Sequence, residues 1–411
     1  MVRSNGGFSR GRILRRGPML WAAMLIVALL AVATLAMSGL LPGFHGHAAT
    51  DAAASRDRKP ESTPVVQTPA EPSEVNPATT DAGHAYDDLI AQGDAFGLQG
   101  DYATAIRTYT KAIDLEPKRA EGYAKRAAAQ SNTGASEMAI ADYNLAIQRS
   151  PPDAELFLSR AKVQVSRGRT DLALDDCDKA VRLSPKFTKA RLYRANVYLG
   201  RGEFDAAIDD YNVILAASPT HASAYCNRGI AYRSKGDLKR AIADYTSAIR
   251  YNAQFAEAHN NRGEIYLQQH KYDLAMADFN EALRINPAES NSSDNRGDLY
   301  MLLGQPDRAI ADYSEIIDRA LRMAAKSDNL HPGERLADVY LKRASAHLKA
   351  DQPEEAVVDV GEAVQIHPEN ARAYVIRRDA YLKLGKTELA HDDDDLAKRL
   401  NRSKPQQAPS P

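Results

Sequence analysis

A period of 34 residues is the feature that leaves this chain the fewest options. The stretch "NNRGEIY", from Asn260 to Tyr266, has a near copy 34 residues earlier, "CNRGIAY", and another 34 later, "DNRGDLY". Alignment on "YATAIRTYTKAIDLEP" places unit starts at residues 86, 120, 154, 188, 222, 256 and 290, then at 337 and 371. Nine units and a 13-residue insertion at 324–336 account for residues 86–404. In each unit, apolar and small residues recur twice at helical spacing. The two runs are separated by a break that is often glycine (Gly100, Gly134, Gly168, Gly202, Gly236, Gly304, Gly385) and closed in six units by proline (Pro117, Pro151, Pro185, Pro219, Pro287, Pro368). Each unit reads as a helical hairpin, which buries its apolar face only by stacking on its neighbours.

Position 20 of the unit is alanine in all nine copies: Ala105, Ala139, Ala173, Ala207, Ala241, Ala275, Ala309, Ala356 and Ala390. A small residue there lets the two helices approach closely. Position 8 is Gly or Ala in every unit but the last, and position 24 is aromatic in six (Tyr109, Tyr143, Tyr211, Tyr245, Phe279, Tyr313). The pattern resembles the tetratricopeptide repeat, a 34-residue helix-turn-helix. The resemblance implies an all-α fold, a right-handed superhelical solenoid of about nine hairpins whose first helices line a concave groove. The last unit departs from the pattern, with Arg378 and Asp394 at core positions 8 and 24. A terminal helix without a following neighbour presents a polar face, so this unit reads as a cap. Its acidic run, Asp392 to Asp395, is not assigned as a metal site, because consecutive helical residues point in different directions.

Position 7 of the first helix is arginine in eight units: Arg126, Arg160, Arg194, Arg228, Arg262, Arg296, Arg343 and Arg377. Position 23 of the second helix is aspartate in the same eight: Asp142, Asp176, Asp210, Asp244, Asp278, Asp312, Asp359 and Asp393. The first unit has Gln92 and Thr108 and lacks both partners together. This coupled loss predicts a structural Arg–Asp ladder, one pair in each of repeats two to nine. An exposed pair is worth about 0.2–1 kcal/mol, whereas removing one partner of a buried pair costs about 3–5 kcal/mol.

The groove implied by the resemblance is read at positions 2, 5, 6, 9, 12 and 13. Its middle is amide-rich: Asn227, Asn261 and Asn295 at position 6, joined by Asn260, Asn291, Glu264, Asp294 and Asp298. A side-chain amide donates to a peptide C=O and accepts from its N–H, so asparagines one repeat apart are suited to holding an extended backbone. The ladder is similar to one in the repeat domain of O-GlcNAc transferases, though no transferase domain accompanies it here. The clamp by which related repeats grip a chaperone's C-terminal carboxylate needs basic residues at position 5, and no lysine or arginine occurs at that position. Leu158, Leu192 and Cys226 there predict an apolar early groove instead, suited to a partner's hydrophobic side chains or helix.

Ahead of the repeats, Arg3, Arg10, Arg12, Arg15 and Arg16 precede an uncharged apolar run at residues 19–41. As a helix that run spans roughly 35 Å, enough for a bilayer core of about 30 Å. Residues 1–18 therefore read as a basic N-terminal segment and 19–41 as a transmembrane signal-anchor. The positive-inside rule puts the N-terminus in the cytoplasm and the repeats on the opposite side, periplasmic if the source is bacterial. Cleavage near Ala52–Ala54, giving a secreted or periplasmic protein, is the alternative. Residues 42–85 read as a disordered Pro/Ala/Thr-rich linker and 405–411 as a disordered tail.

The first fifty residues hold five arginines and no acid, so the net −1 of the whole chain leaves −6 on the rest. That balance gives no nucleic-acid footprint. Two cysteines, Cys177 and Cys226, offer neither a disulfide framework nor a cysteine-rich metal site. No stretch remains for a catalytic domain, and no paired histidine spacing, phosphate-cradling glycine loop or serine elbow occurs. The sequence thus predicts a non-catalytic, cofactor-free, membrane-tethered adaptor that binds an extended or helical segment of a partner protein. The alternatives are a structural organiser of a cell-envelope complex through repeat-to-repeat contacts, which include self-association and would depend on the 324–336 insertion, and an organelle-surface import receptor.

Overall fold

The structure is a computed structural model and describes residues 77–325 and 333–403. Among them are eighteen α-helices and no strand. Seven fall in a first compact unit, which ends at Glu203: α1 (Pro77–Leu98), α2 (Tyr102–Leu115), α3 (Ala120–Asn132), α4 (Ser136–Arg149), α5 (Ala154–Ser166), α6 (Thr170–Leu183) and α7 (Thr188–Gly200). The second unit starts at Phe204 with α8 (Phe204–Ala217), α9 (Ala222–Ser234), α10 (Leu238–Tyr251), α11 (Ala256–Gln268), α12 (Tyr272–Ile285) and α13 (Ser290–Leu302). It continues with α14 (Pro306–Ala324), α15 (Glu334–Lys349), α16 (Pro353–Ile366), α17 (Ala371–Lys383) and α18 (Thr387–Ser403). Odd-numbered helices are the first of each repeat and even-numbered helices the second.

One turn joins the helices of every hairpin. Its glycines, Gly100 to Gly385, have φ between 70° and 80°, and where glycine is missing His270 (57°) and Asp351 (59°) adopt the same left-handed conformation. The N–H of the next residue then returns to the carbonyl five residues back at 2.8–3.0 Å in all nine turns, satisfying an otherwise orphaned helix carbonyl. The alanines at position 20 are all buried, and the aromatic rings at position 24 pack beside them. Bulk at one position and its absence at the other set the hairpin's interhelical distance.

Within each unit successive first helices touch: α1 with α3, α3 with α5 and α5 with α7 in one, α11 with α13 and α15 with α17 in the other. They therefore gather on one face of their unit. α14 runs five residues past the position at which the other second helices within the array end, and α15 begins three residues before its repeat frame. Ile316, Ile317, Leu336, Val339, Tyr340 and Leu341 form the core where these two lengthened helices meet. The 324–336 insertion is thus helical at both ends, and its centre, 326–332, lies outside the described residues.

The linker expected over 42–85 is corrected at its end. α1 begins at Pro77, so residues 77–85 are helix. Proline in a first turn loses no helical hydrogen bond and already has a helical φ, and extending a helix from the folded first repeat avoids a new nucleation step. No helix among the described residues is long and apolar enough to cross a membrane. The basic segment, the 19–41 span, the rest of the linker and the C-terminal tail lie outside the described residues.

Candidate functional site

The arginine at position 7 and the aspartate at position 23 meet in a two-pronged ion pair in seven repeats: Arg126–Asp142, Arg160–Asp176, Arg228–Asp244, Arg262–Asp278, Arg296–Asp312, Arg343–Asp359 and Arg377–Asp393. In each, Nε donates to Oδ2 and Nη2 to Oδ1 at 2.6–2.9 Å. The eighth couple has Arg194 in the first unit and Asp210 in the second. These seven aspartates are only 1–8% exposed, so the pairs belong to the interior.

Sequence reasoning missed the arginine's third arm. Nη1 donates to position 25 of the preceding repeat at 2.5–3.0 Å: Arg126 to Thr110, Arg160 to Asn144, Arg194 to Asp178, Arg228 to Asn212, Arg262 to Thr246, Arg296 to Asn280 and Arg343 to Ser314. The signal was a polar side chain at position 25 in each of those repeats. Before Arg377 that position is Gly361, which has no side chain to offer. In the last repeat Arg378 Nη1 donates to Asp394 Oδ1 at 2.8 Å, so the two polar substitutions at core positions satisfy each other.

A second line of contacts runs along the first-helix face, linking position 24, position 9 and position 6 of the next repeat. Tyr109 Oη donates to Asp94 Oδ1 at 2.7 Å, and Lys125 Nζ reaches Asp94 Oδ2 at 2.7 Å. The second unit repeats this triad: Tyr313 Oη donates to Asp298 Oδ1 at 2.6 Å, and Lys342 Nζ donates to Asp298 Oδ2 and Asp294 Oδ1, each at 2.7 Å. Burial and the Asp298 carboxylate push the Tyr313 hydroxyl well above its ordinary pKa. Tyr143 bonds Ser159, and Tyr211 bonds Asn227. One tyrosine breaks the line. At Tyr245 position 9 is Ile230, and the buried hydroxyl has no hydrogen-bond partner among the described residues.

The asparagines expected to grip a peptide backbone hydrogen-bond to other side chains of the protein, although Asn291 stays exposed. Asn260 is buried; its Nδ2 donates to Glu264 Oε1 at 2.9 Å, and its Oδ1 accepts from Ser292 Oγ at 3.1 Å and Asn295 Nδ2 at 3.0 Å. Asn295 also donates to Glu264 at 3.0 Å, and Glu264 pairs with Arg233. Asn291 donates to Glu289 at 2.9 Å and accepts from Arg335 at 2.5 Å. Asn261 is buried, its Nδ2 4.0 Å from Cys226 Sγ. Position 6 faces the preceding repeat, which is why its amides close the seam between hairpins. The apolar early groove is corrected likewise: Leu158 is buried against Ala180, Val181 and Ala190, and Cys226 is fully buried. Leu192 stays half-buried; Lys189, three residues before it on α7, and Lys162, on the first helix of the preceding repeat, are exposed with no carboxylate partner among the described residues. Cys177 and Cys226 are both buried, and neither is in a disulfide.

Residues 158–222, 226–290 and 292–321 match family models described as tetratricopeptide repeat, and residues 93–134 match one described as TPR repeat. A "58 kDa phosphoprotein" of Plasmodium berghei is 38% identical over 69 residues, 17% of this chain and 16% of that protein. The chain thus spans about a sixth of the length of that curated relative. Among solved structures, a tetratricopeptide repeat protein from Parabacteroides merdae is 20% identical with a TM-score of 0.43, covering 72% of this chain and 99% of that one. YrrB, described as a TPR protein with an unusual peptide-binding site, is 21% identical with a TM-score of 0.39, covering 44% and 94%. MamA is 24% identical with a TM-score of 0.39, covering 43% and 96%.

Proposed function

We propose that this chain, built of tetratricopeptide repeats, is a membrane-tethered, non-catalytic adaptor whose first-helix faces hold a segment of a partner protein. The observation that supports this reading is the contact between successive first helices, which brings side chains from several repeats onto one surface of each unit. Within the first unit the surface offers the half-buried Leu192 and Tyr193 together with the unpaired cations Lys162 and Lys189. Apolar side chains beside free ammonium groups suit a segment carrying both apolar and acidic residues. The tether is residues 19–41, with the repeats on the far side of the membrane from the N-terminal arginines.

The test is crosslinked capture from native membranes with the full chain and a Lys162→Ala/Leu192→Ser variant of equal helicity. A partner captured by the wild type and lost with the variant supports the adaptor; unchanged capture overturns this placement of the site. One observation favours a second reading, a structural organiser. The lengthened α14 projects Leu321 and Met323, 47% and 59% exposed, beyond the ends of its neighbours. Capture that survives in the first variant and disappears with Leu321→Ser/Met323→Ser would select the organiser.

A further inference from the structure

Four tyrosines at position 24 find a hydrogen-bond partner at position 9 of their own repeat or position 6 of the next: Tyr109, Tyr143, Tyr211 and Tyr313. The same register aims Tyr245 at Ile230 and Asn261. Ile230 carries no polar atom, and Asn261 lies against the Cys226 thiol at 4.0 Å. Tyr245 is 0% exposed and its hydroxyl is unpartnered, an arrangement that costs about 1–3 kcal/mol unless something supplies the missing bond.

A carboxylate stands in the same corner. Glu257 is four residues before Asn261, hence on the same face of α11, and is half-buried with no ion pair or hydrogen bond among the described residues. Burial, with Glu289 adding to it, raises its pKa above the ordinary glutamate value. The neighbouring charges are already committed. Arg233 pairs with Glu264, and Glu289 accepts the N–H groups of Asn291 and Ser292 at 2.7 and 3.1 Å as the cap of α13. The charge left unanswered is negative, and the oxygens of Glu257, Tyr245 and Asn261 can all accept.

We propose that this corner between the fifth and sixth repeats, formed by Tyr245, Glu257 and Asn261, is a subsite for a basic side chain of the bound segment. A lysine ammonium has three donors and no acceptor, matching three accepting oxygens beside one uncompensated carboxylate. The inference rests on the reading of the first-helix faces as the partner-binding surface. Occupancy would supply the missing hydrogen bond and remove the desolvated charge.

The experiment measures affinity of the full chain for three otherwise identical Ser/Gly/Leu peptides whose central residue is lysine, leucine or glutamate. The lysine peptide is expected to bind about tenfold tighter than the other two. Glu257→Gln should erase that preference, while Glu155→Gln, the exposed residue at the same repeat position in the first unit, should leave it intact. Tyr245→Phe should weaken the preference and raise the unfolding midpoint of the free chain, since it removes the orphaned hydroxyl. Equal affinity for all three peptides, or a lysine preference that persists in Glu257→Gln, would overturn the subsite and leave the adaptor reading standing. If none of the three binds, and capture is also unchanged in Lys162→Ala/Leu192→Ser, the adaptor reading falls with it.

Discussion

Arg262 touches side chains on two other helices: Asp278 on α12 through two nitrogens and Thr246 on α10 through the third. Removing it leaves a carboxylate that is 4% exposed with only His259 Nδ1, at 3.0 Å, to answer it, so Arg262→Ala should cost about 3 kcal/mol in urea denaturation. Additive losses in Arg262→Ala, Asp278→Ala and the double variant would refute the pairing. Asp278 also gives the pair a pH dependence. Burial pushes its carboxyl up, but the bonds from Arg262 and His259 outweigh that and hold it below the usual aspartate value. Its stabilisation is therefore present above about pH 3.9 and lost as the pH falls through the lower folded value. Unfolding midpoints measured across that range should drop on acidification, and less steeply in Asp278→Asn. The Arg–Asp register was legible because both residues vanish together in the first repeat. The third arm was not, since it joins neighbouring units whose relative register only stacking defines. The asparagines misled for the same reason: position 6 read alone looks open to a partner in the groove, whereas Lys125 opposite Asp94 and Lys342 opposite Asp298 show that it answers position 9 of the repeat before.

At the scale of elements the turns are the most regular feature, and two of them carry a residue poorly suited to the left-handed conformation. A non-glycine residue there costs roughly 1–2 kcal/mol. His270→Gly should therefore stabilise the sixth repeat, read as slower amide exchange in α11 and α12, less whatever the edge contact between His270 and Tyr272 contributes. Glycine also matters within a helix. A Cβ at Gly93 would meet the Tyr109 ring at 2.3 Å, so Gly93→Ala should destabilise the first hairpin despite its better helix propensity, by about 1–3 kcal/mol. A thermal midpoint equal to or above wild type would contradict that. Helix existence and hairpin pairing were readable from the period. The start of α1 was not, because nothing in "PATTDAG" carries an apolar stripe and its helicity is propagated from the folded hairpin behind it.

For the molecule as a whole, the proposed tether and the repeats are separable. Deleting residues 19–41 should move the protein from the carbonate-resistant membrane fraction to the soluble fraction while far-UV ellipticity of the repeats is retained. Extraction of the intact chain by carbonate would contradict the anchor. The Arg ladder, finally, has a direction. Each third arm reaches back to an earlier hairpin and none reaches forward, so on a ribosome every new arginine emerges when its neighbour's second helix already exists. An array bonded this way can be extended during translation one hairpin at a time, each completed repeat serving as the template against which the next one closes.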